Sequence, residues 1–410
     1  YHEWCYYMKR SGHADLPLHY GKVPPWLYQR MSRLGGAIIE AIVMEYGTSE
    51  VLRRISDPLW FQSLGAVLGM DWHSSGITTS VMSALKKAIQ PVSADLGLYI
   101  FGGRGSHSRN TPRELLEFSN KTGNDGEYLV TCSRLSAKID NTAIQDGFQI
   151  YLHSFIVTDE GEWSVVQQGM NGATGLARRY HWHSPTISSF VNEPHASIYG
   201  KNAGHILNLV DKRAEPARAD MVGLANENPE RVLNEARSIR LPGHHDVRNS
   251  DVNLKRLGAV LATAYDAGIR DFESLLLLKG LGPRTMQSLA LVSEVIHGDP
   301  VRFRDPARYS FAHGGKDGHP GPVQTRVYDE TIDFMKKAIV STRLDHFEKR
   351  KALQDLERTV THVEKYYSPV ANVDKLIQKE WEDASKYGGR TVFSDKKGKT
   401  LKKDIQLKLF

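Results

Sequence analysis

Two stretches of this chain carry side chains suited to work on a phosphate. The first is LKGLGPRT, in which Lys279 and Arg284 flank Gly280-Leu281-Gly282-Pro283. Glycines let another molecule approach the backbone, and Pro283 suits the first position of a helix, so peptide N–H groups face outward at a positive helix end. The two cations add the charge that a nucleic-acid backbone requires. The second stretch holds Lys138, Asp140, Asp146, His153, Glu162, Gln168, Arg178, Arg179, His181 and His183, with Asp71 and His73 upstream in DWHSSG. Phosphodiester hydrolysis needs carboxylates for one or two divalent cations, a base for the attacking water and a cation for the transition-state charge. On that logic Asp140, Asp146, Glu162, His181 and His183 are the expected ligands of Mg²⁺ or Mn²⁺. Asp146, His153, Asp140, Asp71, His73, Lys138 and Gln168 are the expected catalytic set. No Cys pair completes a zinc site, and the alternative for the two histidines is a hydrogen-bonded, half-buried place beside aromatic rings.

The elements that must position these groups follow from periodicity. Leu275, Leu276 and Leu278, then Met286, Leu289, Ala290 and Val292, fall at helical spacing on either side of the Gly/Pro turn, which predicts two short helices in a tight hairpin. A helix from Ser133 should end near Gly147, followed by strands at 148–157 and 162–170 joined by Thr158-Asp159-Glu160-Gly161. Pairing Val157 with Glu162 would set Tyr151 opposite Gln168 and His153 opposite Val166. Gln149, Tyr151, His153 and Gln168 then share one polar face, while Phe148, Ile150, Leu152 and Ile156 face the core. The two-residue spacing of His181 and His183 puts both on one strand face. An apolar strand before Gly102-Gly103-Arg104-Gly105-Ser106 leads to Arg104, His107 and Arg109, a nest of N–H groups and charge suited to phosphate. It lacks the Lys-Ser/Thr ending of a nucleotide P-loop. The expected nucleic-acid contacts are Lys279, Gly280, Gly282, Arg284, Thr285, Arg104, Arg109, Arg178 and Arg179.

The chain of 410 residues has length for two or three domains. An α+β architecture is expected: a mixed α/β domain over 10–225 with an antiparallel hairpin in its sheet, an all-α helix-hairpin-helix domain over 226–340, a helical extension over 341–393 and a basic tail over 394–410. Leu344, Phe347, Leu353, Leu356 and Val360 form the apolar stripe of the extension, to be covered by the body of the protein or by a second copy in a homodimer. No long apolar run and no basic leader is present, and the only cysteines are Cys5 and Cys132, which leads to the expectation of a soluble, cytoplasmic protein without a membrane span. The net charge is +6, but residues 395–410 carry +4 of it, so nucleic-acid binding must rest on local patches.

Several motifs resemble known families. LKGLGPRT looks like the helix-hairpin-helix of DNA-repair proteins, which implies a grip on DNA phosphates without sequence readout. RSGHADLPLH, DWHSSGITT, LSAKIDNTAIQDG, VVQQGMN, ARRYHW and FAHGGKDG together resemble the family catalogued as domain of unknown function 763, over most of residues 10–340; that likeness implies little about mechanism. GPVQTRV resembles the loop of base-excision glycosylases that carries their catalytic Asp, but Gln324 stands at the Asp position. Arg284 stands where bifunctional members use a nucleophilic Lys. An amide does not stabilise an oxocarbenium and a guanidinium forms no Schiff base, so glycosylase chemistry would need Asp317 or Asp329 instead.

The leading expectation is therefore a divalent-metal-dependent DNA nuclease. A non-enzymatic DNA-repair binding protein and a glycosylase-like enzyme are the alternatives. The C-terminus ends in Gln406-Leu407-Lys408-Leu409-Phe410, which resembles the bacterial sliding-clamp-binding motif. That likeness implies that Gln406, Leu407, Leu409 and Phe410 dock on the clamp from a Lys-rich linker. The alternative is a last turn or strand docked on the parent body.

Overall fold

The structure, a computed structural model, describes residues 16–17, 23–70, 75–238, 254–307 and 325–366. In chain order β1 (Leu16–Pro17) precedes four helices, α1 (Pro25–Tyr46), α2 (Thr48–Ser56), α3 (Pro58–Val67) and α4 (Gly76–Ile89). The short α5 (Ser93–Leu96) leads to β2 (Leu98–Arg104), α6 (Thr111–Thr122) and α7 (Gly126–Lys138), and then to β3 (Ile144–Gln145), β4 (Gln149–Thr158), β5 (Trp163–Asn171), β6 (Leu176–His183), β7 (Ser197–Tyr199) and β8 (Leu207–Asn208). Helices follow: α8 (Glu215–Ala225), α9 (Pro229–Ser238), α10 (Leu254–Ala267), α11 (Phe272–Leu277), α12 (Pro283–His297), α13 (Thr325–Ser341) and α14 (His346–Tyr366). This is the expected α+β class.

The β-branched and aromatic run from β4 to β6 forms the middle of an antiparallel sheet ordered β1-β6-β5-β4-β2, with β7 beside β6. Both faces of that sheet are buried. Phe155, Val157, Trp163, Val165, Tyr180 and Trp182 join a core with α6, α7, α8, α10, α11 and α12. Ile100, Ile156 and Val166 join a second core with α1 to α4, α13 and α14. The result is three layers, helices on each side of the sheet. Asp residues start three of the helices that set these layers: Asp57, Asp125 and Asp271 each accept a first-turn N–H of α3, α7 and α11.

The hairpin register differs from the expected one. Val157 pairs with Trp163, and Thr158 N–H bonds to Glu162 O, so the closing loop is Asp159-Glu160-Gly161 with Gly161 at φ 82°. His153 thus pairs with Gln167 and Leu152 with Gln168, while a bulge lies between Ile150 and Leu152, at Tyr151. The three-residue loop sets this pairing one residue out of step with the expected one, so His153 and Gln168 lie on opposite faces, and the extra residue at Tyr151 restores the expected step at Ile150–Gly169 and Gln149–Met170. Tyr151 does meet Gln168, whose Nε2 donates to the Tyr151 hydroxyl.

The expected boundary near residue 225 separates no cores, because the helices on both sides of it share the first core with α7 and the sheet. Likewise α13 and α14 return to the N-terminal helices: the Arg54 guanidinium lies 3.7 Å from the Phe334 ring centroid, and Ala352 and Leu356 are buried. Phe347, expected in the stripe, is 77% exposed, because the buried face of α14 begins a turn later.

One ion cluster ties the sheet to the segment after α12. Arg178 on β6 donates through Nη1 to Asp146 at 2.7 Å, and through Nη2 to Asp305 at 2.6 Å and to Lys201 O at 2.5 Å. All three charged groups are buried, and the Tyr180 hydroxyl completes Asp146 at 2.6 Å. Removing one member of a buried ion cluster strands the others without water or counter-charge. Arg178→Met is therefore expected to lower the unfolding free energy by about 3–5 kcal/mol in urea denaturation, and adding Asp146→Asn and Asp305→Asn to recover much of that loss. A loss below about 1 kcal/mol for the single change would mean that the cluster does not hold the layers together.

Candidate functional site

The Gly/Pro turn between α11 and α12 is built as a grip. Gly280 sits at φ 90°, a conformation that L side chains rarely adopt, and Leu278 and Leu281 bury their side chains beneath the turn. Gly282, in contrast, is extended at φ −126°, and a β-carbon there would meet only the Arg256 guanidinium, 3.9 Å away. Its lack of a side chain serves open space rather than backbone strain. No side chain caps α12, and the first helical bond runs from Met286 N–H to Gly282 O, so the amides of Arg284 and Thr285 precede the helical ladder. Lys279 and Arg284 are exposed on either side, whereas the Thr285 side chain is buried.

The end of α7 and the short strand β3 hold this turn from behind by its carbonyls. Lys138 Nζ donates to Leu281 O at 2.6 Å, and Gln145 Nε2 donates to Pro283 O at 2.8 Å. Burial pulls the Lys138 ammonium below the usual lysine range. Lys138, expected in catalysis, is thus a positioning residue for the turn. With its carbonyls held inward, the turn directs amides and cations outward.

Two of the expected catalytic residues, Asp140 and His153, lie in a buried hydrogen-bonded chain on the same side of the sheet. After α7 the helix widens into a π turn over Ile139–Ala143, which carries Asp140 into the protein. Asp140 accepts from Gln167 Nε2 at 2.5 Å, Trp182 Nε1 at 2.9 Å and His195 Nε2 at 2.5 Å. Burial pushes its carboxyl up, against the lowering pull of His195, Trp182 and Gln167. Because the Gln167 amide nitrogen faces Asp140, its oxygen faces His153 Nδ1 at 2.8 Å and receives that proton. His153 Nε2 then accepts from the Ser133 hydroxyl at 2.9 Å. Burial pulls the His153 pKa down to about 4, so the imidazole is neutral.

The expected metal set is divided by the sheet. Asp140 and Asp146 lie on the hairpin side, and Asp146 is occupied by Arg178, Tyr180 and the Phe148 amide. His181 and His183 share one face as expected, but it is the opposite face: His181 Nδ1 meets Ile55 O and His183 Nδ1 meets Ser164. Glu162 stands at the far end of the hairpin and accepts from Ser49. Among the described residues no group of three or more His, Cys, Asp and Glu could hold a metal ion. Arg178 and Arg179 are buried, Arg179 between Gln62, Thr78 and His181, so neither reaches a backbone at the surface. Gln168 is also buried, bonded to Ser75 O and Tyr151. These strand positions read as an open polar face in sequence; the second helical layer closes it.

Arg104 and Arg109 are exposed at the end of β2. Asp71, His73, Gln324, Asp317, Gln406, Leu407, Leu409 and Phe410 lie outside the described residues, as does the side chain of Asp329. Sequence reading missed Arg256, which stands in α10 beside Gly282, and Gln145, which holds the turn; neither belongs to a local motif. His195 was visible only as one of several histidines near the end of β6.

The family model described as protein of unknown function, DUF763, matches residues 12–323. No curated protein and no solved structure matches the chain. No helix among the described residues is long and apolar enough to cross a membrane.

The buried imidazole makes stability depend on pH. The folded pKa of His153 is about 4 and the unfolded value 6.5, so below pH 6.5 the unfolded chain takes up a proton that the folded chain refuses. Stability is expected to fall as pH drops from 6.5 toward 4, by roughly 3 kcal/mol from this group. His153→Gln should remove up to one proton from that slope, read as unfolding free energy at a series of pH values. Parallel pH profiles for the two proteins would show that His153 does not titrate in this way.

Proposed function

The chain belongs to the DUF763 family, and we propose that it binds the phosphate backbone of duplex DNA without reading its sequence, through the turn between α11 and α12. The observation that carries this reading is the open N-terminus of α12. Uncapped amides, a side-chain-free Gly282 and the cations Lys279, Arg284 and Arg256 converge there, while Lys138 and Gln145 hold the turn's carbonyls away. An anion at such a place meets N–H donors, the helix dipole and positive charge together. None of these groups distinguishes one base from another.

Hydrolysis of the bound strand with Mg²⁺ or Mn²⁺ is the second reading, favoured by the Asp140–His195 pair. A carboxylate that orients an imidazole is a familiar way to prepare a base for an attacking water, and π turns recur at functional sites. Among the described residues no group of three His, Cys, Asp or Glu assembles a cation site beside that pair. Asp146 and His153 are engaged by Arg178 and by Ser133 and Gln167, which assigns them to support of the fold. Docking of the C-terminal pentapeptide on a sliding clamp remains part of the proposal, resting on the motif alone.

Two measurements test these readings. In fluorescence-polarisation titrations with two duplexes of unrelated sequence, Lys279→Glu with Arg284→Glu should weaken binding at least about tenfold on both, and flatten the salt dependence by roughly one to two charges. Gly282→Val, which the fold accommodates, should weaken it as well; unchanged affinity in both folded variants would return the turn to a packing role. For hydrolysis, supercoiled DNA incubated with Mg²⁺, Mn²⁺ or EDTA should be nicked only with metal, and His195→Gln should abolish nicking while binding persists. No product under any condition would reject the nuclease reading and leave the binding one.

A further inference from the structure

On the other side of the sheet from the turn, α1, α4 and the end of β2 enclose a cavity of about 640 Å³. Lys86, Lys87, Arg104 and His107 line it together with Tyr28 and Ser83, and among the described residues no Asp or Glu does. Three permanent cations facing one cavity without a lining carboxylate repel one another unless an anion joins them. Lys86 is balanced in part from behind: its Nζ donates to Gly102 O at 2.9 Å and to Glu114 Oε1 at 3.1 Å. Lys87 and Arg104 are exposed and belong to no ion pair among the described residues; they lie over the rings of Tyr28 and Tyr151, 5.0 and 5.7 Å from the centroids.

The strand end is shaped for this arrangement. A β-carbon at Gly102 would stand 2.3 Å from His153 O and 2.7 Å from Thr111 Oγ1, and Gly102 and Gly103 have φ of 79° and 133°. Only glycine takes both places, and the turn they allow is followed directly by Arg104 and by His107, which both border the cavity. The Tyr28 hydroxyl meets Ser83 Oγ at 2.8 Å and Ser83 O at 3.1 Å, which fixes the ring in the wall beside Lys87.

We infer that this cavity binds a nucleotide, with its phosphate among Lys86, Lys87 and Arg104 and its sugar and base toward Tyr28. Three cations, an aromatic ring fixed beside one of them and a volume in the range of small-molecule sites match a phosphorylated, flat-ringed ligand better than a bare anion. The nucleotide is either free or the 5′-phosphorylated end of a strand. The inference does not depend on the turn, which lies on the opposite helical layer.

The test is isothermal titration of the full chain with each of the four nucleoside 5′-monophosphates, with thymidine and with inorganic phosphate. At least one monophosphate should bind with a Kd of roughly 10–100 μM, and thymidine and phosphate at least about tenfold more weakly. Lys87→Glu with Arg104→Glu, both exposed changes, should cost at least about tenfold without altering the thermal melt, whereas Lys279→Glu with Arg284→Glu should change nothing. In that turn variant, tighter binding of a 5′-phosphorylated oligonucleotide than of its 5′-hydroxyl twin marks a strand end as the ligand, and equal binding marks the free nucleotide. Absence of binding by all four monophosphates, affinity untouched by the cavity variant, or phosphate alone binding as tightly as the nucleotides would overturn the inference.

Discussion

Arg178 has no contact with water, and its charge is the constraint around which much of the molecule is arranged. A buried guanidinium needs an acceptor for nearly every N–H, and here they come from three separate stretches: Asp146 before β4, Lys201 O after β7, and Asp305 after α12. Burial alone would lower its pKa, but Asp146, Tyr180 and Asp305 raise it further, so it stays charged. The same clustering fixes where the chain runs after α12, and hence how that helix lies against the sheet layer. Asp305 also receives the amides of Ala203 and Ala307, so the cluster organises backbone as well as charge.

From this anchoring follows the pose of the turn. Lys138 closes α7 just before the π turn, and from there its ammonium reaches Leu281 O, while Gln145 on β3 reaches Pro283 O. The π turn thus has two effects: it brings Asp140 inward to Trp182 and His195, and it leaves Lys138 beside the turn.

The two helical layers give the two faces of the sheet different tasks. The layer of α8, α10, α11 and α12 presents the open helix end and holds the Ser133–His153–Gln167–Asp140–His195 chain beneath it. The layer of α1 to α4 covers Arg179, His181 and Gln168 and leaves a basic cavity at its margin. Polar groups buried in this way are costly to leave unpaired, and most of them here are bonded, to Ile55 O, Ser75 O, Gln62 and Thr78, rather than open to a ligand.

What the sequence determined by itself was local. The α+β class, the strands β4 and β5, the two short helices about Gly280-Leu281-Gly282-Pro283 and the shared face of His181 and His183 all follow from spacing within a few residues, where backbone geometry alone dictates direction. The register of the β4–β5 hairpin did not, because a three-residue loop closes it one residue out of step and the bulge at Tyr151 restores the step further along, and neither leaves a mark in composition. Nor did the fate of the acidic and basic side chains. Asp146 looked like a metal ligand and Arg178 like a DNA contact, yet they neutralise each other, and Arg256 stands beside Gly282 although the sequence separates them widely. Which charges meet each other and which are left for a ligand depends on layers that close over the sheet from distant parts of the chain. Desolvation, which makes an unpaired charge costly, acts only once those layers are in place.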